Sequence, residues 1–424
     1  MIGLLGGSIV TLMLLAVPLG FAILIACMLI VVINDVNPII VAQRLYSGFN
    51  SFALLAIPFF LLAGSVMSAG GMNRRLVDFA NALVGRFPGG LAMSNIVAST
   101  LFSGISGSAV ADTSVFGRIF IPEMVRSGYA SAYSAAVTAA SSVVAPIIPP
   151  SIGFIVYAVI TEQSILRLFM AGVIPGLIFS AGALTLVFVV ARRRGFPTYP
   201  KPTVSEFFEK ARRATWSLAM PAIILWGIFS GVFTVTECSA IAVVYAIFVG
   251  FVFHRELTLS KLWACFIEAS RTTGAIMIIV GSAKLFSWIL AYAQIPQAAV
   301  AWMTSVTSDP IFFLMLVNVF LLFVGTFMES SAAKVMLVPI LHPVGVALGV
   351  DPIQLGVIVQ VNLCLGLITP PIGLCLNVAC KVGGIPLESA LKDIAPFLLL
   401  GLGLLLALSY FPQLSLWLPT LVMG

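Results

Sequence analysis

The chain has 424 residues, of which 61% are hydrophobic and 8% are charged, and its formal net charge is +6. A soluble domain carries about 25% charged residues, so this composition excludes a soluble globular fold. Most of the basic residues lie in the breaks between apolar segments, which argues against a nucleic-acid partner. The six cysteines and two histidines lack metal-site or redox spacing. The composition therefore predicts an all-α integral membrane protein.

In chain order, charged or Gly/Pro-rich breaks separate the apolar segments. A membrane crossing needs about 20 residues, so residues 1–33 are long for one crossing, and Pro18 offers a break that would make two. Residues 72–86 have apolar positions at helical spacing, which predicts an amphipathic helix at the membrane surface. The segments 90–122 and 310–347 are each long enough for two half-crossings, which predicts two re-entrant hairpins.

Charge predicts the orientation of these segments. The polar stretch 192–213 is rich in Lys and Arg and is predicted to be a cytoplasmic loop. Counting crossings from it places the basic residues of 72–86 and 254–261 on the same side, while Asp35 and Glu162 fall outside. The count agrees with the charges only if both predicted hairpins return to their own side. The two halves of the chain are then inverted relative to each other.

An internal repeat supports this inversion. A Phe-x-Gly tripeptide, a proline and a double proline recur at nearly equal spacing, at 102–104, Pro122 and 149–150 in the first half and at 323–325, Pro343 and 370–371 in the second. The repeat predicts a broken helix over 131–160 and another over 352–382. Inverted repeats with broken helices are typical of secondary transporters, whose site lies where the breaks meet. A duplicated scaffold without a site is the alternative, but broken backbone at membrane depth is costly unless it lines a cavity.

The breaks offer oxygen atoms to a cation. Residues 103–108 form a glycine-rich tip with three serines, and the prolines of 146–150 leave carbonyl groups without helical partners. Residues 325–326 and 366–370 repeat the arrangement, which predicts two sites for a hard monovalent cation such as sodium. Half-helix N-termini at the breaks would favour an anionic substrate group. Hydroxyl groups bonded to their own helical turn are the alternative interpretation.

Four Asp, Glu, Lys or Arg residues lie inside the predicted hairpins: Asp112, Arg118, Glu329 and Lys334. Charge within a membrane segment is expensive and indicates a functional role. Either Arg118 or Lys334 meets a substrate carboxylate, or both pair internally with Asp112 and Glu329. The sequence leaves these two interpretations open.

Four motifs together resemble a known family. They are FLLAGSVMSAGG at 60–71, SGSAVADTSVFGRIFIPEM at 106–124, APIIPPSIGFIVY at 145–157 and GLITPPIGLCLNV at 366–378. They resemble the large membrane subunit of tripartite ATP-independent periplasmic (TRAP) transporters, and the likeness covers essentially the whole chain. The resemblance implies a sodium-driven importer of organic acids such as sialic acids, C4-dicarboxylates or sugar acids. The protein would act in the bacterial inner membrane, and it would not be an enzyme.

The resemblance also implies an elevator-type transporter with an inverted repeat. Its scaffold would comprise 1–89 with the interfacial arm helix, 161–309 with the cytoplasmic loop 192–213, and a C-terminal transmembrane helix in 383–424. Its transport domain would comprise 90–160 and 310–382, each with one hairpin and one broken helix. The implied partners are a separate small four-helix membrane subunit, a periplasmic substrate-binding protein and membrane lipid.

The predicted site residues fall into three sets, and the resemblance implies the two sodium sets among them. One sodium site would use Ser103, Ser106, Ala145 and Ile148. The other would use Gly325, Gly366 and Thr369. The substrate site would use Ser108, Arg118, Pro150, Thr326, Glu329, Ser330, Lys334 and Asn377. Three features depart from the family pattern and leave the substrate open: Glu329 stands where Asp is common, 331–333 lacks a Thr-Pro-Thr-like sequence, and Arg118 and Lys334 replace apolar or small residues.

Three other functions remain as alternatives. A stand-alone ion-coupled carrier or antiporter of a related inverted-repeat fold would need no partner subunits. A membrane enzyme would need a nucleophile or a metal cluster at the bilayer surface, and the sequence offers neither. A channel would repeat a pore element around an axis normal to the membrane, without inversion.

Overall fold

The computed structural model describes residues 2–198 and 203–423, with the side chains of residues 2 and 104–106 left out. All regular secondary structure in the described chain is helical. A 3-10 turn, Phe52–Leu55, leads into α4, and a π-helical turn, Val249–Phe253, extends α12. The helices are α1 (Ile2–Leu14), α2 (Leu19–Ile33), α3 (Ile39–Phe49), α4 (Ala56–Ala69), α5 (Met72–Val84), α6 (Gly90–Ser106), α7 (Ala109–Arg126), α8 (Ser131–Ser142), α9 (Ile152–Thr161), α10 (Ile165–Arg194), α11 (Val204–Phe229), α12 (Val235–Phe248), α13 (Leu259–Tyr292), α14 (Ile295–Val306), α15 (Pro310–Phe327), α16 (Ser330–Ala347), α17 (Pro352–Gly366), α18 (Leu374–Gly383), α19 (Leu387–Tyr410) and α20 (Gln413–Met423).

Within the described residues, seven helical segments are long and apolar enough to cross a membrane. Several other apolar helices are shorter, and they result from breaks inside longer apolar stretches. The stretch 1–33 is one example, because α1 and α2 are separated by a turn that ends at Pro18. The fold is therefore that of an all-helical, multi-span membrane protein, as the composition predicts.

Each of the two segments predicted to form a hairpin contains two helices joined by a short turn. The turn between α6 and α7 consists of Gly107 and Ser108, and Gly107 has a left-handed φ of 58°, a conformation that glycine adopts without steric cost. Met328 and Glu329 form the turn between α15 and α16. Each hairpin brings the C-terminus of one helix beside the N-terminus of the next.

Both predicted broken helices are also interrupted where the prolines stand. Residues 143–151 separate α8 from α9, and residues 367–373 separate α17 from α18. Proline lacks a backbone donor and clashes with the preceding turn, so a double proline stops the helical hydrogen-bond ladder. The Pro149-Pro150 and Pro370-Pro371 peptides are both cis.

The two halves pack on each other reciprocally. The second hairpin helix of the first half, α7, packs on α18, and its counterpart in the second half, α16, packs on α9. In the same way α2 packs on α13 and α12 packs on α4. This exchange of partners is the contact pattern expected of two structural repeats related by a two-fold operation.

Two connections differ from the sequence prediction. The predicted loop 192–213 is partly helical, because α10 continues to Arg194 and α11 begins at Val204, where Thr203 and Glu206 form a reciprocal capping box. The region 383–424 contains two helices, α19 and α20, separated at Pro412, whose carbonyl accepts the first hydrogen bonds of α20.

Candidate functional site

A cavity of about 570 Å³ lies where both hairpin turns and both helix breaks meet. One side of its wall comes from these elements: 107–110, Pro146, Ile152, Gly153, 327–332, Gln360, Leu367 and Leu374. The other side comes from α1, the start of α2, α4 and α13 and is mostly apolar: Met13, Leu19, Leu61, Thr272, Ala275, Ile276 and Ile279. The cavity therefore lies between two groups of helices. The hairpins and broken helices form one group, and the remaining helices form the other.

Four helix N-termini converge on this cavity. The first residues of α7, α9, α16 and α18 are Ala109, Ile152, Ser330 and Leu374, and all four line it. A helix N-terminus exposes unpaired N–H groups and carries about half a positive charge. Four of them around one cavity create a positive potential that favours an anion.

Side chains cap three of these N-termini. Ser108 Oγ accepts a hydrogen bond from Ala111 N at 3.4 Å, and Ser151 Oγ accepts one from Phe154 N at 3.3 Å. At α16 the cap is a carboxylate: Glu329 accepts hydrogen bonds from the backbone N–H groups of Ser331 and Ala332 at 2.8 and 3.1 Å. Glu329 thus adds one negative charge to the cavity wall, while the serine caps are neutral.

A positive charge lies directly behind the wall. Lys334 is fully buried, and its ammonium donates a hydrogen bond to Ser330 Oγ at 2.9 Å. A Cβ added at Gly153 would overlap the Lys334 ammonium and the Gln360 amide, so this charge lies against the first turn of α9. Lys334 makes no ion pair with any described residue. The sequence left open a pairing between Lys334 and Glu329. That pair is not formed, and the Glu329 carboxylate caps α16 instead.

The sequence prediction missed Gln360 as a site residue. Its Nε2 donates a hydrogen bond to the Pro146 carbonyl at 2.7 Å, which ties α17 to the break in the other half. Its Oε1 is buried without a hydrogen-bond partner among the described residues, in a side chain that lines the cavity. The signal was an amide side chain inside the buried apolar helix α17.

The first predicted cation site lies at the end of a polar ladder between α6 and α8. Asn95 Nδ2 bonds Thr138 Oγ1 at 2.7 Å, and one turn later Ser99 Oγ bonds Ser141 Oγ at 3.1 Å. Ser103, one further turn along, is buried and donates its hydroxyl hydrogen to its own helix at the Thr100 carbonyl.

The other members of this predicted set are Ser106, Ala145 and Ile148. Within the described chain no hydrogen bond ends on the carbonyl oxygens of Ala145 and Ile148. These oxygens are the kind of acceptors that the sequence analysis predicted at the break. The side chain of Ser106 lies outside the described residues.

The second predicted set is drawn together by close backbone packing. A Cβ added at Gly366 would lie 2.5 Å from the Gly325 Cα, so only glycine allows α15 to approach the end of α17 this closely. Thr369, in the break, donates its hydroxyl hydrogen to the Leu365 carbonyl at 2.8 Å. The hydroxyl groups of Ser103 and Thr369 are therefore bonded to their own turns, yet each keeps its oxygen lone pairs.

Five predicted substrate residues do not line the cavity, and one of them, Lys334, lies directly behind its wall. Arg118 is exposed on α7, nine residues after the helix begins, which at 1.5 Å per residue is about 13 Å along the axis. Thr326 is buried and bonds the Phe323 carbonyl at 2.7 Å. Pro150 is buried within the break, and Asn377 lies half-buried in the first turn of α18. Ser108, Glu329 and Ser330 do line the cavity.

A second cavity of about 420 Å³ adjoins the first and shares Leu61, Ser108 and Thr272 with it. It runs along α13 past Glu268, which accepts a hydrogen bond from Ser65 Oγ at 2.8 Å, to Lys261 at the start of that helix. Its other wall includes the buried Asp112 of α7.

The family described as "Tripartite ATP-independent periplasmic transporter, DctM component" matches residues 7–414. The chain belongs to this TRAP transporter family. It is a large permease component, a multi-pass protein of the bacterial inner membrane and not an enzyme, as the sequence motifs indicated.

Several curated TRAP permeases are similar to the chain over most of its length. The C4-dicarboxylate TRAP transporter large permease protein DctM of Pseudomonas aeruginosa is 42% identical over 89% of this chain and 88% of its own length. The sialic acid TRAP transporter large permease protein SiaM of Vibrio cholerae is 38% identical over 96% of both chains. The isethionate TRAP transporter permease protein DctMQ of Oleidesulfovibrio alaskensis is 36% identical over 95% of this chain but only 64% of its own.

Among solved structures, the YdaH transporter of Alcanivorax borkumensis has a similar fold. The TM-score is 0.61, and the match covers 89% of this chain and 87% of the other at 14% sequence identity. This TRAP permease therefore shares its helical architecture with a transporter of very different sequence.

Proposed function

We propose that this TRAP permease imports an organic acid into the bacterial cytoplasm by coupling it to the sodium gradient. The observation that carries the proposal is the convergence of four helix N-termini on one cavity, with the Lys334 ammonium behind its wall. An organic anion is the ligand that such a field favours. The TRAP relatives are named for a C4-dicarboxylate, a sialic acid and isethionate, which are all acids.

The substrate's acidic group would lie against the first turn of α9, between Gly153 and Ser330. Lys334 would supply a fixed positive charge there, and the free Oε1 of Gln360 would accept a hydrogen bond from a donor on the substrate. The body of the substrate would contact the apolar wall from α1, α2, α4 and α13. Ser108 and Glu329, at the two hairpin turns, would contact it from the sides.

Sodium would bind at two equivalent places, where each hairpin packs on its broken helix. Ser103, Ala145 and Ile148 would contribute to one site, and Gly325, Gly366 and Thr369 to the other. Carbonyl and hydroxyl oxygens replace the water shell of a hard cation, and a hydroxyl that donates to a carbonyl still has lone pairs for the ion. A bound ion would hold hairpin and broken helix together and so shape the anion site between them.

Transport would follow an elevator mechanism with re-entrant hairpins. The moving domain would comprise α6–α9 and α15–α18, and the scaffold the other helices. The position of the cavity at the boundary between these groups supports this division. The adjoining cavity along α13 towards Lys261 would be the route to the cytoplasm in this conformation.

The complete importer would contain two further proteins. A small four-helix membrane subunit would pack against this chain as a separate polypeptide. The DctMQ relative supports this, since the chain accounts for only 64% of its length. A periplasmic binding protein would deliver the substrate.

Uptake of radiolabelled organic acids into proteoliposomes tests the proposal. The chain would be reconstituted alone and with its candidate small subunit and binding protein, each with and without an inward sodium gradient. We expect uptake only when the gradient and both partners are present. Uptake by the chain alone would assign it to the stand-alone carriers, and uptake unaffected by sodium would rule out sodium coupling.

A further inference from the structure

A third cavity, of about 610 Å³, shares no lining residue with the two cavities described above and is strongly charged. It forms where α5, α11 and the segment after α12 meet. Its lining residues are Arg74, Arg75, Asp78, Arg212, Arg213, Trp216, Phe253, His254 and Glu256. Four guanidinium groups thus face two carboxylates. The positive-inside rule places each of these three segments at the cytoplasmic surface, and the structure brings them together.

Two of the arginines are available to a ligand. Arg75 pairs with Glu256 at 2.8 Å, and Arg213 pairs with Glu209, which lies outside the cavity, at 2.5 Å. Arg74 and Arg212 form no ion pair with any described residue, and both are exposed. They lie on different helices, α5 and α11, and line the same cavity. A guanidinium group offers paired donors that match the oxygens of a phosphate.

His254 adds a specific hydrogen-bonding group to the cavity. Its Nδ1 lies 3.1 Å from the Gly70 carbonyl, which makes Nδ1 the donor. Burial, with the neighbouring Arg75, lowers the pKa of His254, which favours the neutral ring. Its Nε2 is then a buried acceptor that has no partner among the described residues. A ligand that satisfies it must carry a donor such as a hydroxyl group.

The aromatic residues beside the cavity are of a kind that is common at the level of lipid headgroups. Trp216 and Phe253 stack with ring centroids 3.9 Å apart, and their side chains remain 39% and 43% exposed. Trp is enriched at the membrane–water interface, where its ring suits the headgroup region. The neighbouring α5 is amphipathic, with Leu76 and Ala80 buried and its arginines on the polar side.

We propose that this cavity binds phosphatidylglycerol from the cytoplasmic leaflet. The phosphodiester would bridge Arg74 and Arg212, a glycerol hydroxyl would donate to His254 Nε2, and the acyl chains would pass the Trp216–Phe253 pair into the bilayer. Basic pockets between membrane helices on the cytoplasmic side are suited to anionic headgroups. The lipid would join the interfacial helix α5 to α11.

Native mass spectrometry of the purified full-length chain tests this with phosphatidylglycerol and phosphatidylcholine at equal concentrations. We expect phosphatidylglycerol to bind at least about tenfold more tightly, since each basic group near an anionic lipid contributes about 1 kcal/mol. The double variant Arg74→Gln/Arg212→Gln should lose this preference. The control Arg192→Gln/Arg193→Gln removes two positive charges from the end of α10, outside the cavity, and should keep it.

A third variant tests the histidine. His254→Phe should weaken phosphatidylglycerol binding and leave phosphatidic acid, which has no glycerol headgroup, unaffected. Three results would overturn the proposal: no preference for the anionic lipid, an equal loss in both arginine double variants, or displacement of the lipid by millimolar inorganic phosphate, which would identify a site for free phosphate.

Discussion

The Lys334 ammonium donates a hydrogen bond to the Ser330 hydroxyl at 2.9 Å, one turn earlier in α16, and both residues are buried. Ser330 is also the first residue of α16 and lines the cavity of about 570 Å³ where the hairpin turns and helix breaks meet. A positive charge is thereby placed behind a wall that carries four helix N-termini and the Glu329 carboxylate. Burying an ammonium without a carboxylate partner is costly, and this cost supports the proposal that the cavity binds an anion.

Replacing Lys334 with methionine should impair binding of the organic acid. Lys334→Met keeps the length of the side chain and removes the charge, and a charge-assisted hydrogen bond contributes about 1.5–3 kcal/mol. We expect the KM of sodium-driven uptake to rise at least about tenfold. The control is Arg118→Met, which removes the other candidate cation; because Arg118 is exposed away from the cavity, its KM should stay within about twofold. Similar effects of the two variants would contradict the assignment.

Gly153→Ala should disturb the cavity wall near Lys334 by a steric clash, without changing any charge. The added methyl group would overlap the Lys334 ammonium and the Gln360 amide, so both must move away from the first turn of α9. We expect a strong loss of uptake together with a lower Tm of the purified protein. Gly117→Ala is the matched control, since its nearest neighbour would be 3.5 Å away at ordinary contact distance. The prediction fails if Gly153→Ala transports normally.

Thr369→Val should weaken the second sodium site. The change keeps the approximate shape of the side chain and removes the hydroxyl oxygen, together with its hydrogen bond to the Leu365 carbonyl. We expect the sodium concentration that gives half-maximal uptake to rise at least about tenfold, or uptake to be abolished. Thr185→Val serves as control, because Thr185 makes the same bond to the carbonyl four residues earlier on an exposed part of α10. An unchanged sodium dependence of Thr369→Val would remove Thr369 from the site.

Gly325→Val should abolish sodium-dependent uptake while the protein still inserts into the membrane. A Cβ at Gly325 would lie 3.1 Å from the Gly366 Cα, and the larger valine side chain would push α15 away from α17. Gly403→Val is the control, because nothing lies within 4 Å of a Cβ at that position. Membrane expression, uptake and sodium dependence would be measured for both. Normal sodium-dependent uptake by Gly325→Val would argue against a cation site at this contact.

The sequence by itself determined the architecture at the level of elements. The double prolines at 149–150 and 370–371 locate both helix breaks, since proline cannot continue the hydrogen-bond ladder. The glycine-rich tip near Gly107 locates one hairpin turn, and the apolar lengths of 90–122 and 310–347 require a reversal within each segment. These are local effects of backbone chemistry and segment length, so they can be derived without knowing what packs against what.

The tertiary structure decided which of the candidate residues meet. Arg118 and Lys334 looked equivalent in the sequence, because each is a cation in a predicted hairpin. Helix register and packing expose Arg118 and bury Lys334 against Gly153, and the same packing brings Gln360 to the cavity from the other half of the chain. The direction of a side chain and its distance from another helix depend on contacts between residues far apart in the chain. No local pattern contains that information.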